Sequence, residues 1–384
     1  MIAGPQPAGG TTTTTTTPVA AGVPLTSVPV LNSLPTATKR VFLDFNGADA
    51  TTWGSYSVPT TPAYDTDGDT TTFSDTELSN INNIWARVSE KFAPFNINVT
   101  TVDPGSYASG QTLRVVIGGT SGWLGSAAGG VAYVNSFTSV SSAKQTVWIF
   151  PGNLGNGNPK YVAEASAHES GHGFGLQHQS TYDATGVKTN EYNPGTSAKA
   201  PIMGNSYSAA RGLWWLGTSA TNSTTIQDDV SVISRSTNGF GYRPDEAGDT
   251  PAAAAALTVS GGSASASGVI ATTADVDYYA FDTGAGTVSF NGNVVASGAT
   301  LDLKLSLYAA DGSLVTSADT TALGESLSAT VPAGTYRLAV ASHGTYGDIG
   351  QYTVAGTVVA IDSVAAPTNL AAAATGTSVS LTWA

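Results

Sequence analysis

Three of the four histidines in this 384-residue chain fall within "HESGHGFGLQH", residues 168–178. No other stretch constrains the fold as strongly. Residues four apart on a helix of 3.6 residues per turn lie one above the other. His168 and His172 can therefore turn their rings toward one ion. Glu169 sits at a neighbouring angle, able to reach a water on that ion without displacing it. Gly173 and Gly175 follow, and glycine both ends helices and tolerates positive φ. A turn at Gly175 brings His178 back as a third ligand. Three histidines leave one position of tetrahedral zinc open, as a catalytic site needs and a closed structural site does not. With so few histidines, the pattern H-E-x-x-H-x-x-G-x-x-H arises by chance on the order of 10⁻⁶ of the time. The spacing predicts one catalytic zinc on His168, His172 and His178, with Glu169 as general base.

Composition narrows the partners. The net charge is −13 and the 14 basic residues are scattered. Phosphate neutralisation needs clustered Lys and Arg, so nucleic acid is excluded as a partner. The absence of cysteine excludes disulfides, thiolate zinc ligands and a thiol nucleophile. No apolar run approaches the ~20 residues of a membrane span. Charged residues make up only 11% of the chain, which suits an exported protein rich in strands and loops. The opening residues carry no signal-peptide pattern, so a targeting signal is expected outside this segment.

Along the chain, residues 1–37 are Pro, Thr, Ala and Gly with seven threonines at 11–17, a composition that predicts a disordered linker. Ordered sequence is expected from 38. "KRVFLDFNG" reads as a strand, and Ser74 with Glu77 forms an S-x-x-E cap. The helix it opens carries Leu78, Ile81, Ile84, Trp85 and Val88 at helical spacing and should stop before Pro94. Strand candidates follow at 95–101, 112–119, 130–137 and 145–150. A small-residue helix then carries the histidines, and "TTIQDDVSVIS" suggests a last cap and helix. Residues 38–243 thus read as one α+β domain. Over 250–361, short alternating strands predict an all-β sandwich. Residues 366–384 resemble two opening strands of another β-domain.

The histidine motif, with Met203 in "APIMGNSY" downstream, resembles the metzincin clan of zinc metalloendopeptidases. "VFLDFNG", "DTDGDTTTFS", "APFNINVTT" and "AGGVAYVNSF" are similar to a group of secreted, cysteine-free bacterial members. The resemblance implies a twisted, mostly parallel sheet with an antiparallel edge strand, an active-site helix and a methionine turn at Met203. It also implies that the edge strand around Val131, Ala132, Tyr133 and Val134 pairs with substrate backbone. Gln179 departs from the Asp, Glu or Pro that follows the third histidine in the best-known subfamilies. Asn205 stands where some subfamilies have a tyrosine, which leaves Tyr207 as a candidate oxyanion or substrate contact, against a packed tyrosine. "DVDYYAFD" resembles the bacterial pre-peptidase C-terminal domain, and "APTNLAAAATGTSVSLTW" the start of a fibronectin type III domain.

Asp65, Asp67 and Asp69 alternate along one loop and form a candidate structural calcium site, since alternate carboxylates can converge on a hard ion. The other reading is a solvated turn before the helix cap. Together these features predict a secreted, monomeric zinc endopeptidase acting on protein or peptide. The alternatives are a surface adhesin with a non-catalytic zinc domain and a zinc amidase with a non-peptide substrate. Intact Glu169 favours the first.

Overall fold

The structure is a computed structural model that describes residues 1–7, 22–361 and 371–382. The first unit is built on a six-stranded sheet. Its strands are β1 (Ile2–Ala3), β2 (Arg40–Asp44), β3 (Asn98–Thr100), β4 (Thr112–Ile117), β5 (Gly130–Ala132) and β6 (Thr146–Ile149), in spatial order β1-β5-β6-β4-β2-β3. The pairs β6–β4, β4–β2 and β2–β3 are parallel, whereas β5 runs antiparallel to both β6 and β1. Strands of a parallel sheet are covered on both faces, and their side chains alternate between them. Leu113, Val115 and Ile117 of β4 accordingly face the main core, with Val147 and Ile149 of β6. Val116 and Trp148 point the other way, into a second cluster around Trp53, Val131 and Phe150.

Helix α1 (Asp75–Phe92) begins at the expected place. Ser74 and Glu77 make a reciprocal capping box, and Ile81, Ile84, Val88 and Phe92 are buried against the sheet. Helix α2 (Pro159–Gly173) packs beside it. Asn158 caps α2 by accepting from the Lys160 and Tyr161 amides, and Pro159 takes the first helical position, where its missing N–H costs nothing.

The α1–α2 contact contains a buried ion pair that pattern reading missed. Lys91 Nζ lies 3.0 Å from Glu164 Oε1, with both side chains almost fully buried. Lys91 also donates to the Gly212 carbonyl at 3.0 Å, and Ser206 Oγ donates to Glu164 Oε2 at 2.6 Å.

Two sequence expectations change. The segment 1–37 is not a linker in its described parts. Ile2–Ala3 joins the sheet, Val23–Pro24 pairs with Thr72–Phe73, and Ser33 exchanges hydrogen bonds with Val99. Val23, Leu25 and Val28 pack on the main core; these few apolar side chains outweigh a composition that otherwise reads as linker. The threonine run at 11–17 lies outside the described residues. The expected strand 130–137 stops at Ala132. Asn135 turns the chain with φ 61° as its amide donates to the His172 carbonyl. Tyr133 is thereby carried onto Trp53, with ring centroids 4.4 Å apart, and Val134 falls in the turn.

Residues 255–357 form a sandwich of two five-stranded sheets, mostly antiparallel, around Phe281, Val288, Phe290, Leu303, Leu305 and Val340. The sandwich is attached to the first unit by buried polar contacts. Glu90 of α1 is fully buried and accepts from Thr300 Oγ1 at 3.0 Å and Gln351 Nε2 at 2.9 Å. Arg211 pairs with Asp348 and donates to the Thr300 carbonyl at 2.7 Å. Residues 371–375 and 378–382 make one antiparallel hairpin, and the rest of the expected fibronectin-like start, 366–370 and 383–384, lies outside the described residues.

Candidate metal centre

The turn after α2 explains how three histidines meet. Gly175 has φ 110° and its amide donates to the His172 carbonyl, while the Leu176 amide reaches back to Gly171 at 2.9 Å. This is a Schellman closure, which favours glycine at the left-handed position. A Cβ at Gly175 would also strike Arg235 and Asn135. The reversal brings His178 beside the other two, with ring centroids 5.3 Å from His168 and 4.9 Å from His172.

Each histidine has one nitrogen engaged. Nδ1 of His168 meets the Ile202 carbonyl at 2.7 Å, Nδ1 of His172 the Leu176 carbonyl at 2.7 Å, and Nδ1 of His178 Glu191 Oε1 at 2.6 Å. A carbonyl or carboxylate only accepts, so each Nδ1 carries the hydrogen and each Nε2 presents a lone pair. All three Nε2 atoms are buried without a hydrogen-bond partner. The ligand atoms of the three rings lie within 4.8 Å of one another. Burial pushes His168 down to about 4 and His178 to about 2, and drives His172 well below the usual imidazole range. The rings are therefore neutral, the form that binds a metal. Three converging, partnerless nitrogen donors fit a divalent metal that prefers imidazole, and an apolar cluster does not account for them.

Glu169 is fully buried next to them, and neither of its oxygens has a hydrogen-bond partner. Burial raises its carboxyl well above the usual range, partly offset by the nearby Gly4 amide. Met203 lies beneath α2: a Cβ on Gly171 would come within 2.5 Å of its sulfur. The Met203 carbonyl accepts from the Gln179 amide at 2.8 Å. Gln179, the departure from the resembled subfamilies, is buried and donates through Nε2 to Asp229 Oδ1 at 2.9 Å. It thus ties the third ligand's loop to the last helix, Asp229–Ser234.

Two residues of the site escaped the sequence reading. Glu191 holds His178 and is itself paired with Lys188 at 2.7 Å. Tyr192 packs at a tilt against His178, ring centroids 4.4 Å apart and planes at 49°. Both belong to an irregular stretch without periodicity, so no pattern marked them. Tyr207 is buried at the far side of the cleft and donates to the Pro5 carbonyl at 2.9 Å. It reaches neither Glu169 nor a histidine by hydrogen bond, whereas Tyr192 lies against the histidines.

The acidic loop is rearranged relative to expectation. Asp65 and Asp67 come together with Glu77, not Asp69. Asp69 instead accepts from Thr71 and Thr72. A further group, Asp245, Asp275 and Asp277, lies where the sandwich begins.

Partners of metal-ligating histidines typically contribute 10–100-fold in metal affinity. Glu191→Ala should weaken metal binding about that much while leaving the fold intact. Competition with a coloured chelator measures it, and an unchanged affinity would show that Glu191 does not orient His178.

No family model matches the chain, and no curated protein sequence does. Among solved structures, it is similar to the pre-peptidase C-terminal domain of a collagenase from Bacillus anthracis, at 15% identity over 30% of this chain and 98% of that one, with a TM-score of 0.22. It is also similar to Aeromonas hydrophila PliG, a periplasmic inhibitor of g-type lysozyme, at 15% identity over 25% of this chain and 85% of that one, with a TM-score of 0.21. A third likeness is to the Yersinia pseudotuberculosis-derived mitogen, at 12% identity over 27% and 91% of the two chains, with a TM-score of 0.20. At these scores and identities, the likenesses decide neither fold nor function.

Proposed function

We propose that residues 38–243 form a metzincin-like zinc endopeptidase and that the protein works outside the cell. The observation that carries this reading is the set of three partnerless Nε2 atoms converging beside a partnerless, buried glutamate. His168, His172 and His178 would hold the zinc, which when bound supplies Lewis-acid activation of water and of the peptide carbonyl.

The chain's own groups do the rest. The Ile202, Leu176 and Glu191 oxygens fix the three rings. Glu169 takes a proton from the attacking water and passes it to the departing amine. The water oxygen thereby joins the carbonyl carbon as the C–N bond breaks, leaving a carboxylate and an amine. Glu169 is placed for this role, being buried beside the three Nε2 atoms with neither carboxylate oxygen engaged by another hydrogen bond. An extended peptide would pair with the outer edge of β5, which Ile2–Ala3 occupies in the structure, so that β5 is not itself the edge strand the sequence led one to expect.

Among the described residues, no helix is long and apolar enough to cross a membrane. The absence of cysteine and the low charge are compatible with export. We assign the sandwich at 255–357 an accessory role, and any calcium at Asp65, Asp67 and Glu77 a stabilising one, since Glu77 of that group also caps α1 and none of the three belongs to the histidine cluster.

The test is metal analysis of the full chain together with digestion of a peptide library. One zinc per chain and chelator-sensitive cleavage are expected. A chain that binds zinc and cleaves no peptide would overturn the peptidase reading, and one that binds no zinc would overturn the site.

A further inference from the structure

The cleft beside Glu169 is lined by the chain's own first residues. Ile2 and Ala3 pair antiparallel with Ala132 and Val131 on the outer edge of β5. Gly4 continues the ladder, its amide donating to the Gly130 carbonyl at 3.0 Å and its carbonyl accepting from the Gly129 amide at 3.4 Å. Two tyrosine side chains hold the carbonyls on either side of Gly4. Tyr192 Oη donates to the Ala3 carbonyl at 2.5 Å, and Tyr207 Oη to the Pro5 carbonyl at 2.9 Å.

Every polar contact along this strand goes to backbone, so the register does not depend on side chains. One position differs. A Cβ on Gly4 would run into Glu169 Oε1 and come within 3.5 Å of the His168 ring. The wall is equally tight, since a Cβ on Gly130 would lie 2.6 Å from Glu169 Cγ. Glu169 is fully buried, so its carboxylate would have to shift inside a closed setting to admit a larger residue. Glycine lets the backbone approach this closely with no such shift.

We propose that the cleft selects an extended peptide with glycine at the position facing Glu169, and that Ala3-Gly4-Pro5 of the chain itself is its resident ligand. This deepens the peptidase reading and rests on it for what happens to the bound peptide, though not for the binding. Steric exclusion at one subsite gives the selectivity. The resident strand competes as an intramolecular ligand, at the high effective concentration that covalent linkage confers.

The experiment uses the full chain stripped of metal by chelation, so that no probe is consumed. A labelled Ile-Ala-Gly-Pro-Gln peptide is titrated into wild type and Gly4→Val, with thermal unfolding as the control for fold. Valine should expel the resident strand, so the peptide should bind Gly4→Val at least ~10-fold more tightly than wild type, a difference of about 1.4 kcal/mol. A peptide with valine in place of glycine should bind Gly4→Val at least ~10-fold more weakly than the glycine peptide. Equal affinity of the glycine peptide for both proteins, or equal affinity of the two peptides, would overturn the proposal. Zinc is then restored. If binding behaves as expected and nothing is cleaved, the inference stands and the peptidase reading falls. If library peptides are cleaved while the binding pattern fails, the peptidase reading stands and the inference falls.

Discussion

Glu169→Gln should abolish most turnover, lowering kcat by ~10²–10⁴, while the full chain keeps its fold and its zinc. Glutamine preserves the volume of the side chain and its place in the slot between α2 and β5. It cannot take a proton from water. Zinc should remain because the ligands are His168, His172 and His178, whose Nδ1 atoms are fixed by Ile202, Leu176 and Glu191 and not by Glu169. Neither Glu169 oxygen makes a hydrogen bond in the structure, so no structural bond is lost by the exchange. Removing a buried ionisable group should leave stability unchanged or raise it, because burial already disfavours the charged form. Steady-state kinetics on a cleaved peptide, zinc analysis and thermal unfolding together decide the matter. The same loss is expected in a Gly4→Val background, where the resident strand no longer competes. Near-normal turnover with zinc still bound would assign the base to another group.

The convergence of the three histidines was far more legible than their surroundings. Helical spacing of His168 and His172, a glycine turn and a returning His178 are local features, and local features survive in sequence as fixed intervals. The capping box at Ser74 and Glu77 was readable for the same reason. Glu191 and Tyr192 were not, because the 179–223 stretch follows no period, and its course is set by contacts such as the parallel pairing of Lys199–Pro201 with Arg211–Leu213. Residues 1–7 were misread because composition reports the average behaviour of a segment, and a few backbone hydrogen bonds to an open sheet edge need no compositional signal. The acidic loop shows the same limit on a smaller scale: Glu77 was read as a cap, and the fold makes it the neighbour of Asp65 and Asp67 as well. The division into two modules was visible from texture. That Glu90 and Arg211 would bury themselves against the second module was not, since a charged residue on a helix or strand is ordinarily a solvated one.

Lys91 shows how much of the fold depends on such unmarked residues, and Lys91→Met should destabilise the protein by about 3–5 kcal/mol. Methionine fills the volume of the lysine stem and keeps helix propensity, so neither a cavity nor a broken helix enters. What changes is Glu164. Its Oε1 loses the ammonium at 3.0 Å and its Oε2 keeps only Ser206, in a setting almost closed to water. The Gly212 carbonyl loses its lysine donor at the same time. Breaking one side of a buried pair strands the other charge, and that cost exceeds what the intact pair contributes over apolar residues. The double variant Lys91→Met, Glu164→Leu should therefore recover a large part of the loss, which a simple packing defect would not. Denaturant midpoints of wild type, single and double variants measure this. A single-variant loss below ~1 kcal/mol would mean that water reaches Glu164 and that the pair is ordinary. The consequence extends to the metal centre. Glu164 is one helical turn before His168, Ser206 lies three residues after Met203, and Gly212 belongs to the strand paired with the one that leads into Met203. The ion pair thus fastens the helix that carries two ligands to the segment whose Ile202 carbonyl orients the first of them, so zinc affinity should fall with stability in Lys91→Met and return with it in the double variant.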